Sequence, residues 1–348
     1  MNRPELLLDY PFAAAPPAGE VSEVAPGVHW LRMPLPFALD HINLWALEDR
    51  AGLALVDSGL GDEATRGLWQ RVFDGFVKGR PVTRVIATHL HPDHAGCIGW
   101  LTSRFDAPLY MSQSDYLTAH AWRENAAGFT IEAMMAHLRD HGLAGEMYEG
   151  QASRGNAYAR SVPDFPFRYR RIMEGDELEI GARKWRVMMG YGHAPEHASL
   201  YCGELGLLIS GDMLLPRIST NISVNQVDLD ADPLALFLDS LRRYSTEIPG
   251  EPLVLPSHGL PFRGMRERVS QLESHHIARL EELEEACTTP KSPAEVIGTL
   301  FRRKLDVHQT FFAMGEALAH LNYLMHAGRA VRSPSADGIR RFVRVERA

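Results

Sequence analysis

Short apolar runs, separated by breaks that contain glycine, proline or charged residues, dominate the first three quarters of the chain. The runs that predict strands are residues 28–32, 42–47, 53–56, 82–87, 108–111, 185–189, 207–209 and 253–255. The break at 49–52 suits a hairpin turn between two of them. This pattern predicts two β-rich halves within residues 21–263, preceded by a proline-rich extension over residues 1–20.

Apolar positions at helical spacing occur between the strands. They predict helices at 64–76, 95–104 and 233–244, the last of which follows Asp232 as a good N-cap. Helices at 114–123 and 131–140 lie in a stretch, 114–164, that interrupts the strand pattern and reads as a helical insertion. Strands alternating with outer helices predict an α/β sandwich.

The composition changes beyond residue 263, and a separate C-terminal domain is predicted over residues 264–348. Its first helix, 266–286, is long and charged, and a second opens at Ser292 with Pro293 at the first helical position. A third apolar helix, 311–326, ends at Gly328, and residues 330–345 read as a hairpin.

The charge balance limits the classes of partner. A formal net charge of −8 over 348 residues argues against a general nucleic-acid or membrane-surface binder. Arginines give the C-terminal hairpin local positive charge: Arg329, Arg332, Arg340, Arg341, Arg344 and Arg347. Glutamates between residues 281 and 285 and the overall acidity oppose a surface that tracks phosphates.

Cysteine usage and the N-terminus indicate the compartment. The three cysteines are far apart and odd in number, so no disulfide framework is expected. The apolar run at residues 6–8 is broken by Asp9, and no run approaches the roughly 20 residues that span a bilayer. We therefore expect a cytoplasmic protein without membrane association.

The richest chemical motif is Thr-His-Leu-His-Pro-Asp-His-Ala-Gly at residues 88–96, directly after a predicted buried strand. In extended chain His89 and His91 face the same side, so one metal ion can take both. Pro92 begins a turn, beyond which Asp93 and His94 suit a second divalent ion. A polar surface turn explains one or two histidines but not four ligand-type residues in this order.

Further metal-ligand candidates follow other apolar runs. They occur in Gly-His-Ala-Pro-Glu-His at 192–197, Ser-Gly-Asp at 210–212 and Ser-His-Gly at 257–259. This is the arrangement of a site built on strand ends, where a rigid sheet fixes loop residues.

The motifs H-x-H-x-D-H, G-H-x-P-x-H, S-G-D and S-H-G, in this order, make the chain resemble the metallo-β-lactamase-fold hydrolases over about residues 21–263. The resemblance implies an αββα sandwich. The three helices and hairpin at the C-terminus resemble the winged-helix domain of the lactamase-beta-2-like branch, with the likeness strongest at residues 317–324.

The resemblance also implies roles for individual residues. One metal ion is held by His89, His91 and His193, the other by Asp93, His94 and His258, with Asp212 as the bridge. Asp93 and Asp212 are the candidate catalytic carboxylates, and Asp57 and His197 are expected to support the ligands without binding metal. Glu196 departs from the glycine of many members, and we expect it to narrow the pocket.

Two bound divalent ions, zinc first with iron or manganese as alternatives, would make hydroxide available near neutral pH to attack a carbonyl. An ester or thioester hydrolase acting on a small acyl substrate, of the acyl-CoA or glutathione thioester type, is the favoured function. Lactone hydrolysis and endoribonuclease activity with the same metal site are the alternatives. The insertion is expected to act as a lid lined by Tyr116, Trp122 and Phe129. The sequence does not decide between a monomer and a homodimer.

Overall fold

A seven-stranded sheet forms the first half of the structure, a computed structural model that describes residues 7–346. Its strands are β1 (Val21–Ala25), β2 (Val28–Pro34), β3 (His41–Asp49), β4 (Gly52–Val56), β5 (Val82–Ile86), β6 (Leu109–Met111) and β7 (Arg170–Arg171), in that spatial order. Neighbours from β1 to β4 pair antiparallel, and those from β4 to β7 pair in parallel. The predicted strands of this half are present. No apolar run marked β1, which is half exposed, or β7, whose two residues are both exposed.

A five-stranded sheet forms the second half. Its strands are β8 (Glu177–Ile180), β9 (Arg183–Gly190), β10 (His197–Cys202), β11 (Leu207–Gly211) and β12 (Leu253–Pro256). The spatial order is β12-β11-β10-β9-β8, antiparallel except for the pair β11 and β12. Because β11 and β12 run in parallel, the loops after them leave the sheet at the same edge.

Helices lie outside the sheets and in the C-terminal region. They are α1 (Glu63–Val72), α2 (Pro92–Ala95), α3 (Ile98–Phe105), α4 (Gln113–Arg123), α5 (Ile131–Asp140), α6 (Gly145–Ser153), α7 (Ala157–Ser161), α8 (Pro233–Glu247), α9 (Met265–Ala286), α10 (Pro293–Leu300) and α11 (Val307–His326). A π-helical turn, Phe73–Val77, extends α1, and the last two strands, β13 (Ala330–Ser333) and β14 (Arg341–Arg344), form the predicted hairpin. Within residues 7–346 no helix has the length and apolar character needed to cross a membrane.

The two faces of the seven-stranded sheet bury different cores. Leu44 and Ala46 of β3 pack on the side of α1 and α3, whereas Trp45 and Leu47 pack against the second sheet. This follows from the two-residue repeat of a strand, and burying a side chain such as Leu44 stabilises the fold by roughly 1.5–3 kcal/mol. On the far side of the second sheet, the Tyr244 hydroxyl of α8 donates to the Met188 carbonyl at 3.0 Å. The predicted αββα layering is confirmed.

Two compact units divide the chain. The first comprises Met1–Arg123, Tyr158–Thr220 and Ser240–Val269, and contains both large sheets. The second comprises Glu124–Ala157, Asn221–Asp239 and Ser270–Ala348, with a small core in which Met134, Met135 and Leu138 of α5 meet Met314 of α11. The start of the predicted insertion, with α4, thus belongs to the first unit and its middle, with α5 and α6, to the second.

Helix ends explain most differences from the expected boundaries. The apolar helix predicted from residue 311 begins at Val307, because Asp306 and Gln309 form a capping box there. The predicted cap at Ser292 is present, with Glu295 completing its own capping box. The turn expected at Pro92 is a one-turn helix, α2, with the proline at its first position. Of the extension at 1–20, residues 1–6 lie outside the described part of the chain.

Candidate metal centre

The seven predicted metal ligands come together at the ends of four strands of the first unit. His89, His91, Asp93 and His94 follow β5, and three further ligand candidates, His193, Asp212 and His258, follow β9, β11 and β12. The ligand atoms form two groups: His89, His91, His193 and Asp212 in one, and Asp93, His94 and His258 in the other. Within each group the ligand atoms lie within 4.8 Å of one another.

The first group has the spacing of ligands around one ion. The Nε2 of His89 lies 2.9 Å from Nδ1 of His91 and 3.2 Å from Nε2 of His193. The Nε2 of His193 is 3.4 Å from Oδ2 of Asp212. Ligands bonded to one transition metal at about 2.0–2.1 Å are separated by about 2.9–3.4 Å, depending on the coordination angle.

The second group shares the other oxygen of Asp212. The Nε2 of His258 lies 3.4 Å from Oδ2 of Asp93 and 3.4 Å from Oδ1 of Asp212. The Nε2 of His94 lies 3.5 Å from the same Oδ1 and 3.8 Å from Oδ2 of Asp93. The two oxygens of one carboxylate therefore face different groups, as a bridging ligand requires.

Buried atoms without hydrogen bonds support the fit to metal ions. Among residues 7–346, Nε2 of His94 and Oδ1 of Asp212 are buried without a partner of acceptable hydrogen-bond geometry. Such atoms cost free energy unless they are bound by something else, and a cation satisfies both. Imidazole nitrogens and carboxylate oxygens suit zinc, iron or manganese. The residues present fit a pair of divalent ions.

The electrostatics of the candidate ligands differ between the histidines of the first group and the bridging carboxylate. Burial, followed by the neighbouring histidines, lowers the pKa of His89 and His91 well below its ordinary value, so both are neutral as metal ligands must be. Burial opposes the charge on Asp212, but His258 and His94 outweigh it and hold the pKa of this carboxyl well below its usual range. Asp212 is thus an anion between two sets of imidazoles.

Asp57 and His197 occupy supporting positions. Asp57 Oδ2 lies 2.8 Å from Nδ1 of His94, and its Oδ1 accepts a hydrogen bond from the backbone N–H of Thr88 at 2.8 Å. The Nε2 of His197 accepts a hydrogen bond from the backbone N–H of Asp212 at 3.0 Å. Neither residue belongs to a ligand group, and each fixes a residue that does.

The loop of His258 is held by residues that sequence reasoning missed. The buried Asn43 donates from Nδ2 to the carbonyls of Pro256 and Gly259, both at 2.8 Å. The Nδ1–H of His258 donates to the carbonyl of His41 at 2.7 Å, which directs Nε2 toward Asp212. No spacing signal links β3 to a loop more than 200 residues later, so only the fold reveals these contacts.

The carboxylate of Glu196 binds the start of α4, and its effect on the width of the pocket stays a prediction. Its Oε2 accepts a hydrogen bond from the backbone N–H of Ser114 at 3.2 Å, in the first turn of α4. A carboxylate at a helix N-terminus is stabilised by the helix dipole and the exposed N–H groups. The side chain ties the loop after His193 to a helix.

Fold and centre together define the class. The chain belongs to the metallo-beta-lactamase superfamily, whose domain matches residues 38–258, and a metallo-beta-lactamase-like C-terminal domain matches residues 280–345. It is accordingly a protein of the metal-dependent hydrolase class, with a His/Asp cluster suited to two metals.

The chain is similar over most of its length to two proteins of known structure and to a bacterial metallo-hydrolase. A beta-lactamase domain protein from Burkholderia ambifaria is 49% identical and superposes with a TM-score of 0.91, covering 99% of this chain and 100% of that one. A metallo-beta-lactamase family protein from Thermus thermophilus is 31% identical, with a TM-score of 0.79 over 93% of this chain and 100% of that one. The probable metallo-hydrolase YqjP of Bacillus subtilis (strain 168) is 25% identical over 84% of this chain and 91% of its own.

Proposed function

We propose that the chain hydrolyses the thioester or ester bond of a small acyl compound, with acyl-CoA and glutathione thioesters as the substrate types. The observation that carries its metal-dependent hydrolysis is the placement of the two oxygens of Asp212 against two separate ligand groups. Two divalent ions bound there, zinc first, would lower the pKa of water and polarise a carbonyl oxygen. The same ions would support lactone or phosphodiester hydrolysis, so the substrate class rests on other features.

The residues of the chain hold this chemistry in place. Asp212 fixes the separation of the two groups, and its side chain is only 11% exposed. Asp93 is the more accessible carboxylate, with 19% of its side chain exposed. In the proposal Asp93 therefore accepts the proton that the attacking water releases, while Asp212 and the histidines keep the site rigid.

Charge supports an acyl substrate over RNA. Three of the six arginines noted near the C-terminal hairpin form ion pairs within the second unit, and Arg347 lies outside the described residues. Arg329 pairs with Glu284 and Arg332 with Asp230. Arg341 lies 2.8 Å from Asp337. With the net charge of −8, these pairs leave this region poorly suited to a polyanion.

A substrate panel tests the proposal. The purified protein, reconstituted with zinc, is assayed on acyl-CoA, a glutathione thioester, a lactone, a simple ester and RNA. We expect the highest kcat/KM on a thioester or ester, with activity lost on chelation. The Asp93→Asn variant, purified identically, reports contaminating hydrolases. Higher kcat/KM on the lactone or on RNA than on any ester or thioester would overturn the proposal.

A further inference from the structure

Asp115, in the first turn of α4, binds the backbone of two loops that carry metal ligands. Its Oδ1 accepts a hydrogen bond from the N–H of Leu90 at 2.9 Å, and its Oδ2 accepts one from the N–H of Glu196 at 2.7 Å. Leu90 lies between His89 and His91, and Glu196 lies three residues after His193. One fully buried carboxylate thus joins the loops of three histidines.

Both backbone polar groups of Leu90 are held by hydrogen bonds. While its N–H donates to Asp115, its carbonyl accepts a hydrogen bond from the Tyr158 hydroxyl at 2.7 Å. The carboxylate itself is fixed by Ser112, whose hydroxyl donates to Oδ2 at 3.2 Å. With both of these groups bound, the two peptide groups that join His89 to His91 have little freedom to rotate.

The connection to the His193 loop is reciprocal. The N–H of Glu196 donates to Asp115, and the N–H of Ser114 donates back to the Glu196 carboxylate. Both carboxylates lie at the N-terminus of α4, where the helix dipole favours negative charge. The helix start and the loop are therefore locked together by two charge-assisted hydrogen bonds.

We infer that Asp115 is a positioning residue for the first metal ion: it sets the register between the loop of His89 and His91 and the loop of His193. Residues outside the ligand set that orient ligands commonly change metal affinity when they are replaced. The inference rests on the metal centre of the proposed function and is independent of its thioester or ester substrate.

The chemistry of the position requires a carboxylate. Two N–H groups and one hydroxyl point at it, and a carboxylate offers two acceptor oxygens. In Asp115→Asn one oxygen becomes an NH₂ group, which cannot accept the hydrogen bond that Leu90 N–H or Glu196 N–H donates. The variant therefore breaks the connection to one loop at nearly constant side-chain volume.

Cobalt titration of the full chain provides the test. Co²⁺ absorption reports each bound ion, and the His193→Ala variant identifies the bands of the first one. We expect Asp115→Asn to weaken binding of the first ion by about 10- to 100-fold and to shift its bands, with the second ion retained. Tyr158→Phe, which removes the hydroxyl that donates to the Leu90 carbonyl, should weaken binding of the same ion by a smaller factor.

The matched control is Asp232→Asn, because Asp232 also accepts a backbone N–H, that of Ala235, in the first turn of a helix. It should leave both ions unchanged. Unaltered first-ion affinity in both Asp115→Asn and Tyr158→Phe, or equal weakening of both ions, would overturn the positioning role. Wild-type protein that binds no cobalt would instead reject the metal centre itself.

Discussion

Asp57 and His94 are joined through Oδ2 and Nδ1 at 2.8 Å, and both side chains are buried. Because Nδ1–H donates to the carboxylate, Nε2 of His94 keeps its lone pair directed at the second ligand group. Burial lowers the pKa of His94, but the charges of Asp57, Asp212 and Asp93 outweigh it and raise this pKa well above its ordinary value. The Asp57 carboxylate therefore both orients the His94 ring and adds negative charge beside the second ligand group.

The first prediction concerns this pair. Asp57 has a φ of 62°, a left-handed conformation that asparagine also tolerates, so Asp57→Asn should fold. Loss of the negative charge should weaken binding of the second ion by about 10- to 100-fold in a metal titration. Asp106→Asn, at an exposed position with a φ of 49°, is the control and should bind both ions normally. Equal affinities in the two variants would contradict the assignment of Asp57.

The second prediction tests the contact between Gly211 and His197. Gly211 has a φ of +52°, and a Cβ there would lie 2.3 Å from Nε2 of His197, the atom that accepts from Asp212 N–H. Gly211→Ala should lower the free energy of unfolding by about 2–4 kcal/mol, measured by urea denaturation, and weaken metal binding.

Gly206→Ala separates the two causes of this loss. Gly206 has a φ of +60° but open space around its Cβ position, so the substitution adds only the backbone penalty of roughly 1–2 kcal/mol. If the two alanine variants lose the same free energy, the close approach to His197 has no energetic role.

The clustering of the candidate ligands was predictable from sequence, because each candidate follows an apolar strand and the order of motifs is distinctive. His89 and His91 fall in one group, as their two-residue spacing predicted, although both lie beyond the end of β5. The one-turn helix that begins at Pro92 turns Asp93 and His94 to the other group. Asp115 was not predictable, since its partners lie 25 and 81 residues away and neither spacing carries a signal.

The aromatic residues of the insertion show a second limit of sequence reasoning. Tyr116 was expected to line an acyl cavity, but it packs in the core of the first unit, with its ring stacked on Tyr169 at 3.8 Å. Trp122 also packs against this core. Helical periodicity predicted the helix that carries these two residues but not which surface they pack against.

The third prediction concerns Glu316 in the second unit. Burial raises the pKa of this carboxyl to about 7. A hydrogen bond that Asn221 donates at 3.0 Å lowers the pKa, but by less than burial raises it. The raised pKa adds stability that is fully present below about pH 4.5 and is lost as the pH rises through about 7, at about 1.4 kcal/mol per pH unit. Glu316→Gln, which is never charged, should therefore unfold at higher urea than wild type at pH 8 and gain little near pH 5.

An exposed residue provides the control for this pH dependence. Glu149→Gln should change the free energy of unfolding equally at both pH values. A Glu316→Gln variant whose difference from wild type is the same at pH 5 and pH 8 would show that Glu316 ionises alike in the folded and unfolded chain.

The metal content of three proteins tests the central claim most directly. After reconstitution with zinc and removal of loose ions, elemental analysis of the wild-type chain should give about two ions per chain, because its ligands form two groups that share Asp212. His193→Ala and His258→Ala should each retain about one ion, the first losing the ion of the His89 group and the second the ion of the Asp93 group. One ion or fewer in the wild-type chain, or two ions retained in either variant, would contradict a bridged two-metal centre.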